Sequence, residues 1–246
     1  GLMDSYPEAN LRHYTFMLEG LQEVQTALGK RSIKMIVKKG NPADVALAAG
    51  EKASMIVCDR GYLRHQRQWR KKVAKDAGCR VVQVESDVIV PLEVVSDKAE
   101  YAARTFRPRI QKHLDDYLKL TSALKPRHAS LNLEIGGIDL KDIDAVLSGL
   151  EIDRKVASVS VLFKGGSQEA KKRLRRFIRD HLSHYDAHSN QPQTDDISHM
   201  SPYLHFGQIS PVYLALQVRD AREGQGIDRA AYLEELIVRR ELAVNF

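Results

Sequence analysis

Between Asp195 and Pro211 the chain reads DDISHMSPYLHFGQISP, which gathers two hydroxyls, an imidazole and several backbone N–H groups into the four residues from Ser198 to Ser201. Ser201-Pro202 and Ser210-Pro211 each have the composition of a helix start. Serine suits the N-cap, proline suits the first helical position, and Gly207 loosens the chain between them. At the first start, Ser198, His199 and Ser201 crowd one positive helix end, an arrangement that takes a phosphate. Ordinary capping uses the same residues and is far commoner, so local chemistry leaves both uses open.

The elements that must carry this turn follow from periodicity. Leu11, Tyr14, Leu18, Leu21 and Leu28 recur at helical spacing, SIKMIVKKG is a short β-rich run, and Asn41-Pro42 opens another helix. ASMIVCDRG and CRVVQVESDVIVP are two further strand candidates, separated by the basic helix YLRHQRQWRKKVAKDAG. Strands alternating with helices predict parallel βαβ units and a doubly wound sheet, so the fold class is α/β. No GxGxxG follows any of these strands, so a dinucleotide fingerprint is absent.

The middle changes character. DKAEYAARTFRPRIQKHLDDYLKL predicts a helix interrupted at Arg107-Pro108, and Thr121 to about Gly166 weakens into polar, glycine-containing chain expected to connect two domains. SQEAKKRLRRFIRDHLSHY then predicts a helix with Leu174, Phe177, Ile178, Leu182 and Tyr185 on one face, opposite a row of Lys and Arg. That row suits a polyanion, although a solvated face is its commoner use.

Composition narrows the function classes. Of 246 residues, 43% are hydrophobic and 28% charged, as in a globular protein, and no apolar run approaches a membrane span. The two cysteines, Cys58 and Cys79, form no CxxC or metal-spaced cluster, which argues against disulfide and zinc frameworks and for a reducing, cytosolic setting without a metal. A net charge of +6 permits nucleic-acid binding without requiring it. The start GLMDSYPEAN lacks a signal peptide's regions, and ELAVNF stops inside an apolar-periodic pattern, so a fragment of a longer chain is expected.

The motifs DDISHMSPYLHFGQISP and YLEELIVRRELAVNF together resemble the flavin-binding region of DNA photolyases, within the photolyase/cryptochrome family, and specifically the class II cyclobutane pyrimidine dimer photolyases. YTFMLEGLQEVQTAL, LRHQRQW and DKAEYAARTFRPRI are similar to that class's antenna domain, in order and spacing. The resemblance implies an N-terminal doubly wound parallel-sheet antenna domain over 1–120, a linker over 121–166, and the start of an all-helical FAD-binding domain over 167–246. It also implies that the first antenna strand and most of the catalytic domain lie outside this chain.

By the same resemblance, Ile197, Ser198, His199, Met200 and Ser201 hold the FAD diphosphate, and Tyr185 contacts the cofactor. Tyr232, Glu235 and Arg239 fall at i, i+3 and i+7 of a final helix and would share a face. Tyr232 and Arg239 would line the flavin, and Glu235 would be the catalytic, substrate-binding residue that meets the dimer. Without the resemblance, Glu235 and Arg239 make an ordinary i,i+4 surface pair. The implied activity is light-driven repair of pyrimidine dimers in damaged DNA by electron transfer from reduced FAD, in a monomer with no membrane partner. A deazaflavin or folate antenna is implied as a second chromophore, and the location as cytoplasmic, nucleoid-associated or nuclear. A cryptochrome-like light sensor without repair activity is the alternative, and a non-catalytic binding module a third reading.

The match has departures. Ser189 stands where the family commonly has arginine, leaving a cation near the flavin in doubt, with His188 or His199 as substitutes. CDRGYLR replaces the usual Asp-Phe-Ser-Pro-Leu-Arg, which leaves the antenna chromophore open, and the single Trp69 lies in the antenna half.

Overall fold

A computed structural model describes residues 1–246. In chain order the elements are α1 (Leu11–Gly29), α2 (Pro42–Gly50), β1 (Met55–Asp59), α3 (Arg64–Asp76), β2 (Arg80–Val84), α4 (Leu92–Val95) and α5 (Ala103–Tyr117). There follow α6 (Ile143–Ser148), α7 (Ser167–Asp180), a 3₁₀ turn (Leu182–His184), α8 (Tyr185–His188), α9 (Ser201–His205), α10 (Pro211–Arg219) and α11 (Gly226–Leu233). A π-helical segment (Glu234–Arg239) leads into α12 (Arg240–Asn245). Two compact units emerge, one made of residues 1–84 and 123–169, the other of 85–122 and 170–246.

The first unit is α/β. β1 and β2 run parallel, from Met55 opposite Arg80 to Asp59 opposite Val84, with α3 as the crossover. Where three strands were expected, the sheet has two. SIKMIVKKG makes one isolated parallel bridge, Leu2 to Lys39, because so little extended chain lies beside it to build a ladder. Its backbone bonds beyond the neighbouring helix go to Leu2, to Ser130 and to Ile138, whose N–H lies 2.7 Å from Val37 O. Leu2, Tyr14, Leu18 and Val37 form a core with Leu140, Leu147 and Leu150. The last three come from the 121–166 stretch, which also contains α6, capped where the Asp142 carboxylate accepts from Ala145 N at 2.9 Å. Asn41 caps α2 in the same way, through Ala43 N at 3.0 Å.

The second unit is helical. CRVVQVESDVIVP is a strand only as far as Val84. Val88, Ile89 and Val90 beyond it are buried in the helical unit, where the Ile89 and Val90 N–H groups bond a side chain instead of a ladder. α5 runs through Pro108 without the expected interruption, and Phe106 and Ile110 on its inner face are fully buried. The single helix expected from Ser167 to Tyr185 breaks after Asp180 into α7, the 3₁₀ turn and α8, yet Leu174, Phe177, Leu182 and Tyr185 are all buried. No helix is long and apolar enough to cross a membrane.

Candidate functional site

Three aromatic side chains make one wall of the site. Phe177 of α7, Tyr185 at the start of α8 and Tyr232 of α11 are buried, with ring centroids 5.8 Å (Phe177 to Tyr185), 5.0 Å (Phe177 to Tyr232) and 5.0 Å (Tyr185 to Tyr232) apart. Such separations suit offset and edge-to-face packing. A buried carboxylate holds two of the three together. Asp228, near the start of α11, accepts from Gln225 N at 2.8 Å and from Asp186 N at 3.2 Å, which docks α11 on α8.

The turn before α9 meets this wall through one hydrogen bond. The Tyr232 hydroxyl donates to Ser198 Oγ at 2.9 Å. Burial pushes the Tyr232 phenol well above its usual range, so it stays protonated and available as a donor. Tyr185 is raised as well, first by burial and then by the Glu235 charge. His199 sits at φ 52°, a left-handed conformation that histidine adopts more readily than most residues, and its Nε2 lies 2.7 Å from Asp195 Oδ1. Met200 is buried, whereas Ser201 and Ile197 are exposed.

The two Ser-Pro starts differ. Ser210 caps α10, its hydroxyl accepting from Tyr213 N at 3.3 Å. Ser201 does not cap α9: it is the first helical residue, Met200 holds the cap position in a helical conformation, and no side-chain cap bond forms. The expected N-cap role of Ser201 is thereby corrected, because the positive φ at His199 turns the chain into the helix one residue earlier.

The last helix differs from expectation too. Glu234 to Arg239 are wound as a π-helix with i→i+5 bonding, so a face counted at α-helical spacing does not survive across it. Tyr232 is buried, whereas the Glu235 and Arg239 side chains are 60% and 56% exposed and 3.9 Å apart. Arg239 lies as near to Glu234, at 3.7 Å. Glu234 itself is gripped by Arg107 of α5 through two bonds of 3.0 and 2.7 Å. Farther along, the fully buried Glu241 accepts from Ile89 N at 2.6 Å and Val90 N at 3.3 Å, and burial lifts its carboxyl to about 7. Its neighbour Arg240 donates to both the carbonyl and the carboxylate of Asp87.

The structure therefore brings Tyr185, Ser198 and Tyr232 together and leaves Glu235 exposed with Arg239 and Glu234. Ser189 closes the end of α8, its N–H bonding back to Tyr185 O at 2.9 Å. Sequence reasoning missed Phe177 as part of the wall, the Arg107–Glu234 grip, and Asp196, which joins two histidines. Phe177 was legible as an apolar-face residue, but nothing local shows which partners any of the three will meet. A separate cleft of about 230 Å³ between α5, α10, α11 and the π segment is lined by Ile110, Leu114, Leu118, Leu233 and Ile237, with Glu234 at its edge. It includes none of the wall or turn residues.

Donor chemistry at the wall and turn fits a dinucleotide cofactor: hydroxyls and a left-handed backbone turn for phosphates, beside aromatic rings for a planar ring system. The family model described as DNA photolyase matches residues 3–128. The chain is 42% identical over all its 246 residues to a deoxyribodipyrimidine photo-lyase of Methanothermobacter thermautotrophicus, covering 53% of that protein. It is 36% identical to a deoxyribodipyrimidine photo-lyase of Potorous tridactylus, over 97% of this chain and 45% of that protein. The chain thus spans about half the length of these curated relatives. A Synechocystis cryptochrome shares the fold, with a TM-score of 0.76 at 15% identity, over 96% of this chain and 50% of the other.

Proposed function

The chain belongs to the DNA photolyase family, and on that premise we propose that it is part of a class II photolyase that repairs cyclobutane pyrimidine dimers in DNA. In this reading, residues 1–120 are the antenna domain, 121–166 the connection, and 167–246 the opening of the FAD-binding domain. The single observation that carries the reading is the Tyr232–Ser198 hydrogen bond, which ties the hydroxyl-bearing turn to the aromatic wall.

Ser198, Ser201 and the backbone of residues 197–201 would hold the FAD diphosphate. Tyr185 and Tyr232 would border the ring system, with Arg239 at the rim. Reduced FAD, when bound, supplies a photoexcitable electron donor. The protein itself must orient that group, keep water from it, and present a donor to the substrate carbonyl. Glu235 suits the last of these roles in its protonated form, since a neutral carboxyl can donate and its side chain is exposed for a substrate to reach. A preorganised carboxyl that meets charge as it develops lowers a barrier more than it strengthens binding. The DNA backbone would be met by basic side chains, giving salt-sensitive affinity, and extrusion of a dimer costs less than extrusion of a sound base.

The test is a blue-light repair assay on dimer-containing DNA with the complete protein. Light-dependent loss of dimers in a flavin-containing protein is expected. A protein that carries flavin and changes its spectrum in light but leaves the dimers intact is a light sensor, and one without flavin is neither.

A further inference from the structure

A closed circuit of contacts holds the 195–201 turn in place. Phe177 packs on Tyr232 with centroids 5.0 Å apart. One turn further along, His181 continues the hydrogen bonding of α7 through its N–H to Phe177 O at 2.9 Å, and its Nδ1 lies 2.8 Å from Asp196 Oδ1. The other oxygen of Asp196 lies 2.6 Å from Nδ1 of His188, the last residue of α8. Two residues beyond Asp196, Ser198 receives the Tyr232 hydroxyl at 2.9 Å and closes the circuit.

Asp196 is thus a bridge between two helical elements that flank the wall, and the turn hangs from it. Its carboxylate is held below the usual range, first by the His181 bond and then by that of His188. His184 stacks on His188 with centroids 5.5 Å apart, Asp180 adjoins His181 in sequence, and the neighbouring Asp195 pairs with His199. Both Nδ1 atoms face carboxylate oxygens, and the trio is no metal cluster. An imidazole carrying its proton on Nδ1 donates whether neutral or charged, so the bridge needs neither ring to be ionised. Thr194 Oγ1, which donates to His188 O at 3.2 Å, ties the same loop a second time.

We infer that Asp196 is a positioning residue, which through His181 and His188 sets Ser198 and the following backbone in the geometry that receives a diphosphate. Without it the turn would keep the Tyr232 bond to Ser198 but lose its tie to His181 and His188. The inference rests on the reading of the turn as a diphosphate site, and it assigns the Asp196 carboxylate to orienting that site, not to touching the ligand.

The experiment measures FAD and riboflavin affinity of the complete protein, because riboflavin lacks the diphosphate. Asp196→Ala should lower FAD affinity about 10–100-fold, the range met when groups that orient binding residues are removed from metal sites, while riboflavin affinity stays within about twofold. His181→Asn with His188→Asn keeps a donor near each Nδ1 position and should retain FAD, whereas His181→Ala with His188→Ala should behave as Asp196→Ala does. Equal losses for FAD and riboflavin would mark a general structural role and overturn the inference, as would parental FAD affinity in Asp196→Ala. Parental affinity in Ser198→Ala with Ser201→Ala, beside a loss in Asp196→Ala, would overturn the diphosphate reading instead. A parental protein with no FAD affinity would remove both.

Discussion

Two Ser-Pro steps nine residues apart lead into helices of the same unit, and the structure treats them differently. Ser210 turns its hydroxyl onto the backbone of α10, which satisfies a helix N–H and leaves nothing for a ligand. Ser201 leaves its hydroxyl exposed, its neighbour Ser198 takes a side-chain donor, and His199 adopts a conformation that most residues avoid. The same dipeptide is thus closed on itself in one place and open in the other. The last helix repeats the contrast in carboxylates: Glu241 is closed upon the N–H groups of Ile89 and Val90, and Glu235 is open to solvent. Polar groups that the fold leaves open at a strained turn are candidates for ligand contact, and those it closes are supports.

The sharpest way to break this contrast is to remove the open hydroxyls. Ser198→Ala with Ser201→Ala in the complete protein should weaken FAD binding by roughly 1.5–3 kcal/mol per lost charge-assisted bond. Undiminished flavin in the purified double variant would erase the distinction.

The closed carboxylate should act on stability alone, and with a defined sign. The Glu241 carboxyl titrates near 4.5 when unfolded and near 7 when folded, so the folded state binds more protons between those values. Its contribution is therefore fully present below about pH 4.5, is lost as pH rises toward 7, and is constant above. The full swing is roughly 3 kcal/mol. Urea unfolding from about pH 4.5 to 8 should show Glu241→Gln losing that part of the slope; parallel curves for parent and variant would contradict it.

Ser210→Ala, the closed counterpart of the first pair, should cost about 0.5–1 kcal/mol of stability, as loss of a cap does, and leave flavin content untouched. A flavin loss comparable with that of the Ser198/Ser201 variant would show that the two starts are not distinct.

The smallest change in stability is expected for Glu235→Ala, within about 0.5 kcal/mol as for other exposed positions. The flavin spectrum and DNA affinity should persist while fewer dimers are repaired per absorbed photon. Parental yield would make Glu235 an idle surface carboxylate, and loss of FAD would make it a support of the Glu234–Arg239 ion pairs.

Much of the frame was legible because its signals are local. Asn41-Pro42 caps α2 as its chemistry requires, the helical recurrence of Leu11 to Leu28 marks α1, and β1 and β2 are short apolar runs on either side of a basic helix. Local signals failed where a distant partner intervened. ESDVIVP has the composition of a continuing strand, but the N–H groups of Asp87 and Val88 are taken by Glu85, and those of Ile89 and Val90 by Glu241, about 150 residues later. The Pro108 break did not appear, and α5 instead presents Arg107 to Glu234 from an unbroken helix. Within the 121–166 stretch apolar residues are sparse, and their spacing does not show that Leu140, Leu147 and Leu150 among them reach the core of the first unit.

By itself, then, the sequence determined the alternation of strands and helices, the capping of α2 by Asn41 and of α10 by Ser210, and the residue types gathered around Ser198, since each depends on side chains and dihedrals within a few residues. Only the tertiary structure decided which serine caps and which stays open, how the π winding separates Tyr232 from Arg239, and that Asp196 joins His181 to His188 beneath the turn. Those outcomes depend on hydrogen bonds between segments far apart in sequence, whose geometry exists only once the helices have packed.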